Sequence, residues 1–355
     1  MNYRTKSKKR VTLEEVAKTA GLARTTVSDI VNRGTGENYS EDTRKRAMEA
    51  AEKLGYAPVR AAQSLASGSS RLIGLMLTRD FRNSYWSWLT YYIEQELRRL
   101  HFRLQLAVTE NDPEIEREQF MHLAADRIDG LIIAPAFSIH SNIQKLPASI
   151  SHVPIVAIGM QAQKTDSIVL DEYDAGSNTV KYFLKNNHKR IGYLGAPPLK
   201  DRDAKESRIA GFIDELTKHK LYLDEWTFLG PKHDDYESQQ QVTDAFVEKW
   251  VNAPTSKRPT AVFCHNDQLA ITATASFARH NISVPNDISL IGHDDLPESA
   301  HVVPAITTLD THLEAQAKAA VELLLERMSK PKRKARVVRI KPTLIERESV
   351  STPSK

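Results

Sequence analysis

A chain of 355 residues is too long for one ordinary core, so two or three domains are expected, and 41% apolar with 7% aromatic content suits globular structure. The charge is uneven: residues 1 to 71 hold 14 Lys or Arg against eight Asp or Glu, and the remainder holds 35 against 37. No apolar run reaches membrane-spanning length and no signal-peptide core follows the basic start, so the cytoplasm is the expected compartment.

Cys264, the single cysteine, excludes an internal disulfide and a cysteine-based zinc site, and its apolar surroundings suggest a small buried side chain. The 12 histidines show no metal-binding spacing such as HExxH, so neither a metal nor a cofactor is expected.

The chain opens with a basic tail, residues 1–10, in which Arg4, Lys6, Lys8, Lys9 and Arg10 meet no acid. Such a tail neutralises phosphates and releases counterions, or is simply solvated. Residues 11 to 33 then read VTLEEVAKTAGLARTTVSDIVNR. Thr12 caps a short run with Leu13, Val16, Ala17 and Ala20 on one face, Gly21 supplies a tight turn, and a second run sets Val27, Ile30 and Val31 on one face. Two short helices around a glycine turn make a helix-turn-helix, whose second helix enters the major groove. A helical hairpin with no nucleic acid partner is the plainer alternative.

Ser40 caps a third helix, with Glu41 and Asp42 in its first turn, Ala47, Ala50, Ala51 and Leu54 at helical spacing, and Gly55 as its stop. After Pro58, residues 59 to 66 are long enough for one or two helical turns that are unstable alone. Ser67 to Ser70 read as a flexible joint.

Beyond Ser70 apolar runs alternate with helical patterns. Strands are predicted at Leu72–Leu77, Leu104–Val108, Gly130–Ala134, Ile155–Ile158, Ile191–Leu194, Ala261–Cys264 and Ile288–Ile291, with helices between them such as Trp86–Leu100 and Ala315–Met328. This alternation predicts parallel sheets covered on both faces, with ligands bound beyond the carboxyl ends of the strands.

The order VTLEEVAKTAGLARTTVSDIVN, YSEDTRKRAMEAAEKLGYAP, RAAQSLASGSSRLIGL resembles the LacI/GalR family of bacterial transcriptional regulators, from about residue 10 to residue 349. The resemblance implies an all-α helix-turn-helix domain followed by an α/β core like a periplasmic sugar-binding protein, built of two doubly wound parallel-sheet lobes with a cleft between. The expected division is 1–10 tail, 11–57 helix-turn-helix, 58–70 hinge helix and linker, 71–170 with 303–330 first lobe, 171–302 with 331–349 second lobe, and 350–355 tail.

By the same resemblance, a homodimer reads a pseudo-palindromic double-stranded operator. The DNA contacts implied are Thr12, Arg24, Thr25, Thr26, Ser28, Asp29, Asn32 and Tyr56, with Ala62 approaching the minor groove and Leu65 wedged into it. Arg24 suits guanine, Thr25 a thymine methyl or a phosphate, and Asp29, where many members are basic, a cytosine amino group. Ala23 stands where a capping Ser is usual. The chain end, IERESVSTPSK, carries no heptad helix for tetramer assembly, which leaves a dimer.

For the effector, the resemblance implies Tyr85 and Trp86 as flat ring surfaces, Arg208 as a hydrogen-bonding fork, and Asn266 and Asp294 at the ends of buried strands, while His293 and His265 beside them either bind an acidic or phosphorylated effector or are hydrogen-bonded neutral residues. The functional-state reading is a repressor controlled by a small polar, sugar-like molecule and concerned with carbohydrate metabolism. Three departures argue against a simple hexose: Gly159 where many members have Asp, His293 where an aromatic is usual, and Glu172 where Asn is common. Asp267 and Asp295 read as caps or structural groups rather than ligand contacts. A transport-type sugar-binding protein is contradicted by the helix-turn-helix, and an enzyme by the lack of a nucleophile elbow, a phosphate-cradling loop or metal spacing. A regulator answering to a protein partner instead of a small molecule is the remaining alternative.

Overall fold

The computed structural model describes residues 11–32, 38–56, 68–77, 81–110, 112–134, 151–162, 164–195, 205–230 and 236–353. The basic tail and the hinge segment with Ala62 and Leu65 lie outside the described residues. The chain divides into two compact units, Met1–Leu72 with Arg127–Asp129, and Ile73–Asp126 with Gly130–Lys355.

In the first unit, α1 (Leu13–Ala20) starts at Thr12 with a full capping box. The Thr12 hydroxyl accepts from Glu15 N, and the Glu15 carboxylate accepts from Thr12 N at 2.7 Å. Gly21 ends it at φ +62°, the left-handed conformation that spares a glycine any Cβ strain. The second helix, α2 (Arg24–Val27), continues as a wider turn through Ser28–Asn32. Ala23 gives it no side-chain cap. The third, α3 (Glu41–Leu54), is capped by Ser40. Val16, Ala17, Ala20, Val27, Ile30, Ala47, Ala50 and Ala51 form one small core. Arg46 fastens α3 across the turn by donating to the carbonyls of Ala20 at 2.7 Å and Gly21 at 3.2 Å.

The segment read as a flexible joint is held at its end. The Asp129 carboxylate accepts from Ser70 N at 2.9 Å, Ser70 Oγ at 3.1 Å and Arg71 N at 2.8 Å, and from Ser69 Oγ as well. Serine-rich composition suggested mobility, but these serines donate to a carboxylate 59 or 60 residues away in sequence.

The second unit contains two parallel sheets. The first has six strands: β1 (Leu72–Leu77), β2 (Arg103–Val108), β3 (Gly130–Ala134), β4 (Ile155–Ile158), β5 (Asp166–Leu170) and, far along the chain, β11 (Val337–Ile340). Their order is β11–β5–β4–β3–β1–β2. The second has β6 (Ile191–Gly195), β7 (Thr227–Leu229), β8 (Ala261–Cys264) and β9 (Ser289–Ile291), in the order β7–β6–β8–β9. An antiparallel ribbon of β10 (Thr308–Asp310) and β12 (Thr343–Ile345) completes the strands described.

β1, β3, β4 and β8 are apolar along nearly their whole length and buried on both sides, as parallel strands under helices must be. Helix α4 (Ser84–Arg99) sends Leu89, Ile93 and Leu97 into the first core, where α10 (Leu313–Ser329) adds Ala317, Ala320, Val321 and Leu324. The second lobe centres on Phe246, Phe277 and Val262, with a neighbouring cluster of Phe183, Tyr193, Phe212 and Phe263.

The expected lobe boundaries at the carboxyl end are corrected. Residues 303–330 were assigned to the first lobe and 331–349 to the second. Instead, Thr307 bridges Ile291 of the second sheet, and the chain crosses in β10. After α10 it stays in the first lobe, where Val337–Ile340 adds to the edge beside β5, and it crosses back only at β12. The edge strand escaped the sequence reading because it follows the basic run PKRKAR and alternates exposed with half-buried residues.

Asp166 anchors that edge. Its carboxylate is fully buried, receives both Nη1 and Nη2 of Arg333 at 2.8 Å, Arg327 Nε at 2.9 Å and Arg336 N at 2.7 Å. Burial alone would raise this carboxyl, but the two guanidiniums hold it below the usual carboxylate range.

Candidate functional site: a DNA-reading helix and a charged cluster at the strand ends

On the first unit, Arg24 and Thr25 are exposed at the start of the second helix. Thr26, Ser28 and Asp29 are half-buried beside them. Asp29 does not lie free: its Oδ2 accepts from Tyr39 OH at 2.9 Å, and Asp29 raises the Tyr39 phenol. The Thr12 hydroxyl is engaged with Glu15. Tyr56 packs against the small core, and its amide donates to Ala51 O at 2.8 Å, closing α3. Asn32 is placed only by its backbone, at the end of the wider turn.

In the second unit, each sheet has a point where neighbouring strands lead off in opposite directions, between β1 and β3 and between β6 and β8. Ligand sites in such sheets form at these switch points, beyond the carboxyl ends. The candidate residues lie beyond the carboxyl ends of these strands and of the neighbouring β9. Tyr85 and Trp86 begin α4 after β1. Arg208 begins α7 (Arg208–Lys218) after β6. His265 and Asn266 follow β8, and His293 and Asp294 follow β9.

The geometry gives Arg208 a partner the sequence reading did not foresee. Glu172, at the start of α6 (Glu172–Lys185), takes the guanidinium in a two-point grip: Nε to Oε2 at 2.8 Å and Nη2 to Oε1 at 2.6 Å. Arg208 Nη1 donates to the His265 carbonyl. The cause is a close helix crossing. A Cβ on Gly176 would lie 1.8 Å from Arg208 O, and one on Gly211 would lie 1.9 Å from Tyr173 O. Only two glycines allow the backbones so near, and the crossing sets the first turns of α6 and α7 side by side. The signal in sequence was the pair of glycines, DAGS and IAGF, one helical turn after Glu172 and Arg208.

His293 is fully buried. Its Nδ1 lies 3.0 Å from Asp294 Oδ1 and its Nε2 lies 3.4 Å from Glu172 Oε2. Burial and the Arg208 charge oppose the imidazolium, yet Glu172 and Asp294 together raise the histidine above its ordinary value. Burial would raise Glu172, but Arg208 and His293 hold it well below the usual range. Asp294 is raised by burial, with His293 opposing.

Asp267 is buried too, accepting from Leu296 N at 2.8 Å and from the Thr308 hydroxyl, and burial with the Asp294 charge pushes it up to about 7. Asp295 pairs with Arg347. Both therefore bind the ribbon and the loop after β9 to the frame.

Asn266 caps α9 (Asp267–Arg279), with its side-chain oxygen accepting from Leu269 N at 2.8 Å. The buried Tyr85 hydroxyl donates to Gln316 Oε1 at 3.1 Å, and burial, with Asp294 next, raises the phenol. Trp86 stands edge-on to Tyr85 at 4.6 Å between ring centroids. Its buried Nε1 has no hydrogen-bond partner among the described residues.

A separate groove of about 460 Å³ lies between Trp88 and Tyr92 of α4, the loop at Asp295 and Pro297, and His312 to Lys318. Asp294 also reaches its lining.

Comparison with known proteins agrees with both units. Residues 12–59 match the model for bacterial regulatory proteins of the lacI family, and residues 180–350 match the periplasmic binding protein-like domain. The chain is 31% identical over 342 residues to the HTH-type transcriptional repressor PurR of Aliivibrio fischeri strain MJ11, covering 96% of this chain and 98% of that protein. The chain belongs to the LacI family. It is a DNA-binding transcriptional regulator with a helix-turn-helix domain and a two-lobed core for a small effector.

The repressor of the same name from Mannheimia succiniciproducens is 30% identical over 344 residues, 96% of this chain and 98% of that one. Among solved structures, the Lac repressor dimer bound to operator and the anti-inducer ONPF superposes with a TM-score of 0.79 at 26% identity. The match covers 97% of this chain and 100% of that one. No helix among the described residues is long and apolar enough to cross a membrane.

Proposed function

We propose that this LacI-family regulator is a repressor that binds a pseudo-palindromic operator as a homodimer and releases or tightens on it when a small polar ligand enters the core. The observation that carries this reading is the full-length likeness to a repressor dimer solved on its operator with a ligand present. Supporting it, Arg24 and Thr25 lie exposed on the second helix of a sound helix-turn-helix, spaced to reach base edges and phosphates. Ala62 and Leu65, outside the described residues, take the minor-groove role that the resemblance implies, folding as the two hinges meet DNA. Ser28, Asn32 and Tyr56 serve the phosphates.

For the ligand, Tyr85, Trp86, Arg208, Asn266, His293 and Asp294 serve as contacts, a reading supported by their positions beyond the carboxyl ends of strands in the two sheets. A ligand that prefers one arrangement of the lobes biases DNA affinity by that preference alone. The expected ligand is small and polar, sugar-like in size and hydroxyl content.

The direct test is to incubate the purified protein with fragments of its own genome and sequence what it retains. A pseudo-palindromic site is expected, with log affinity falling linearly against log salt. Retention without sequence preference would sink the repressor reading.

A further inference from the structure

Arg208 is the strongest cation at the candidate ligand site, and the structure shows that seat already taken. Three of its five N–H donors are committed, two to the Glu172 carboxylate and one to a backbone carbonyl. The Glu172 carboxylate sits as a bound carboxylate ligand would, in the two-point geometry that arginine offers acids and phosphates. Exposure is ordered in the same sense. Glu172 keeps 23% of its side-chain surface, Arg208 14%, Asp294 9% and His293 none. A molecule arriving from solvent therefore meets the carboxylate first.

The charge balance points the same way. Arg208 and Glu172 make one neutral pair, and His293 lies between the carboxylates of Glu172 and Asp294. Among the described residues, each cationic group of this cluster already has a carboxylate beside it. An anionic ligand reaching Arg208 would have to displace Glu172 and leave a largely buried carboxylate without its guanidinium. That is the costly way to break such a pair.

We propose that Glu172 is an internal anion that fills the anion seat of Arg208 and thereby sets the charge class of the effector. The molecule this site admits is uncharged or cationic and rich in hydrogen-bond donors, which the outward face of the carboxylate accepts. Carboxylates and phosphate esters are excluded. This deepens the proposed function and rests on its ligand site. It needs no DNA to test, so its failure and that of the operator reading are separate events.

The experiment is isothermal titration of the full-length protein, free of DNA, with ribose, ribose 5-phosphate and inorganic phosphate. Wild type is compared with Glu172→Gln, each checked for a cooperative melting transition. For the wild type, ribose 5-phosphate is expected to bind at least tenfold more weakly than ribose, or both anions to give no heat. In Glu172→Gln, both anions are expected to gain at least tenfold, because Arg208 then offers an open fork and a net positive charge. Glu172→Asn is a second neutral variant should the first fail to fold, and Glu172→Asp, which keeps the charge, is expected to keep the exclusion. Wild-type preference for ribose 5-phosphate over ribose would overturn the proposal. So would neutral variants in which neither anion gains affinity.

Discussion

Strand β5 has a carboxylate at each end, and the two have opposite surroundings. Asp166, at the amino end, is fully buried and held by two arginines and a backbone amide. Glu172, just past the carboxyl end, is held by one arginine, touched by a histidine and still part-exposed. The first is closed on every side and joins a distant edge strand to its sheet. The second lies where parallel sheets bind ligands and keeps a face open. Similar chemistry six residues apart is thus closed into the frame at one end and, on the proposal above, open to the effector at the other.

The largest effect that would sharpen this contrast is at Asp166. Asp166→Ala leaves Arg327 and Arg333 without their carboxylate, and about 3–5 kcal/mol of stability should be lost by denaturant unfolding. An effect under about 1 kcal/mol would mean the lock contributes little. Next is the helix crossing that builds the second cluster. Gly211→Ala sets a Cβ 1.9 Å from a backbone oxygen, so α6 and α7 must separate. A loss of about 1–3 kcal/mol is expected in denaturant unfolding.

Asp129→Ala removes the acceptor shared by Ser69, Ser70 and Arg71, and because this stretch is open to water only about 0.5–1.5 kcal/mol is expected. Hydrogen exchange at Ser70 and Arg71 is the readout, and unchanged protection would refute the clamp.

The smallest effect is in pH dependence, where the two ends differ in sign. Asp166 is lowered in the folded state, so its stabilisation is present above the ordinary carboxylate value and fades as pH falls through the lower folded one. His293 is raised, so its contribution is complete below the ordinary histidine value and fades as pH rises through the higher folded one. The stability difference between wild type and His293→Gln should therefore shrink from pH 5.5 toward alkaline pH, followed by urea unfolding at each pH. A difference that grows with pH would reverse the assignment.

Much of the frame was legible. Runs such as LIGLML, GLIIA and AVFC announce strands buried on both faces, and the observed bounds of β1, β3, β4 and β8 match them. The Thr12 cap, the Gly21 turn and the Ser40 cap were legible because each is local chemistry. β5 was missed because it opens on Asp and Ser, and the Asp166 carboxylate finds its arginines more than 160 residues away. The Glu172–Arg208 pair was missed for the same reason. Each residue was noticed separately, but their meeting depends on two glycines 35 residues apart that let helices touch. Long-range polar pairing leaves no periodicity to read.

The most direct test of ligand-controlled repression is the affinity for one retained genomic fragment, titrated by anisotropy with and without a pool of uncharged polyols, sugars and nucleobases. A shift of at least tenfold in the dissociation constant, in either direction, is expected at constant salt. A specific site whose affinity no member of the pool moves would contradict small-molecule control and leave a protein partner as the regulator.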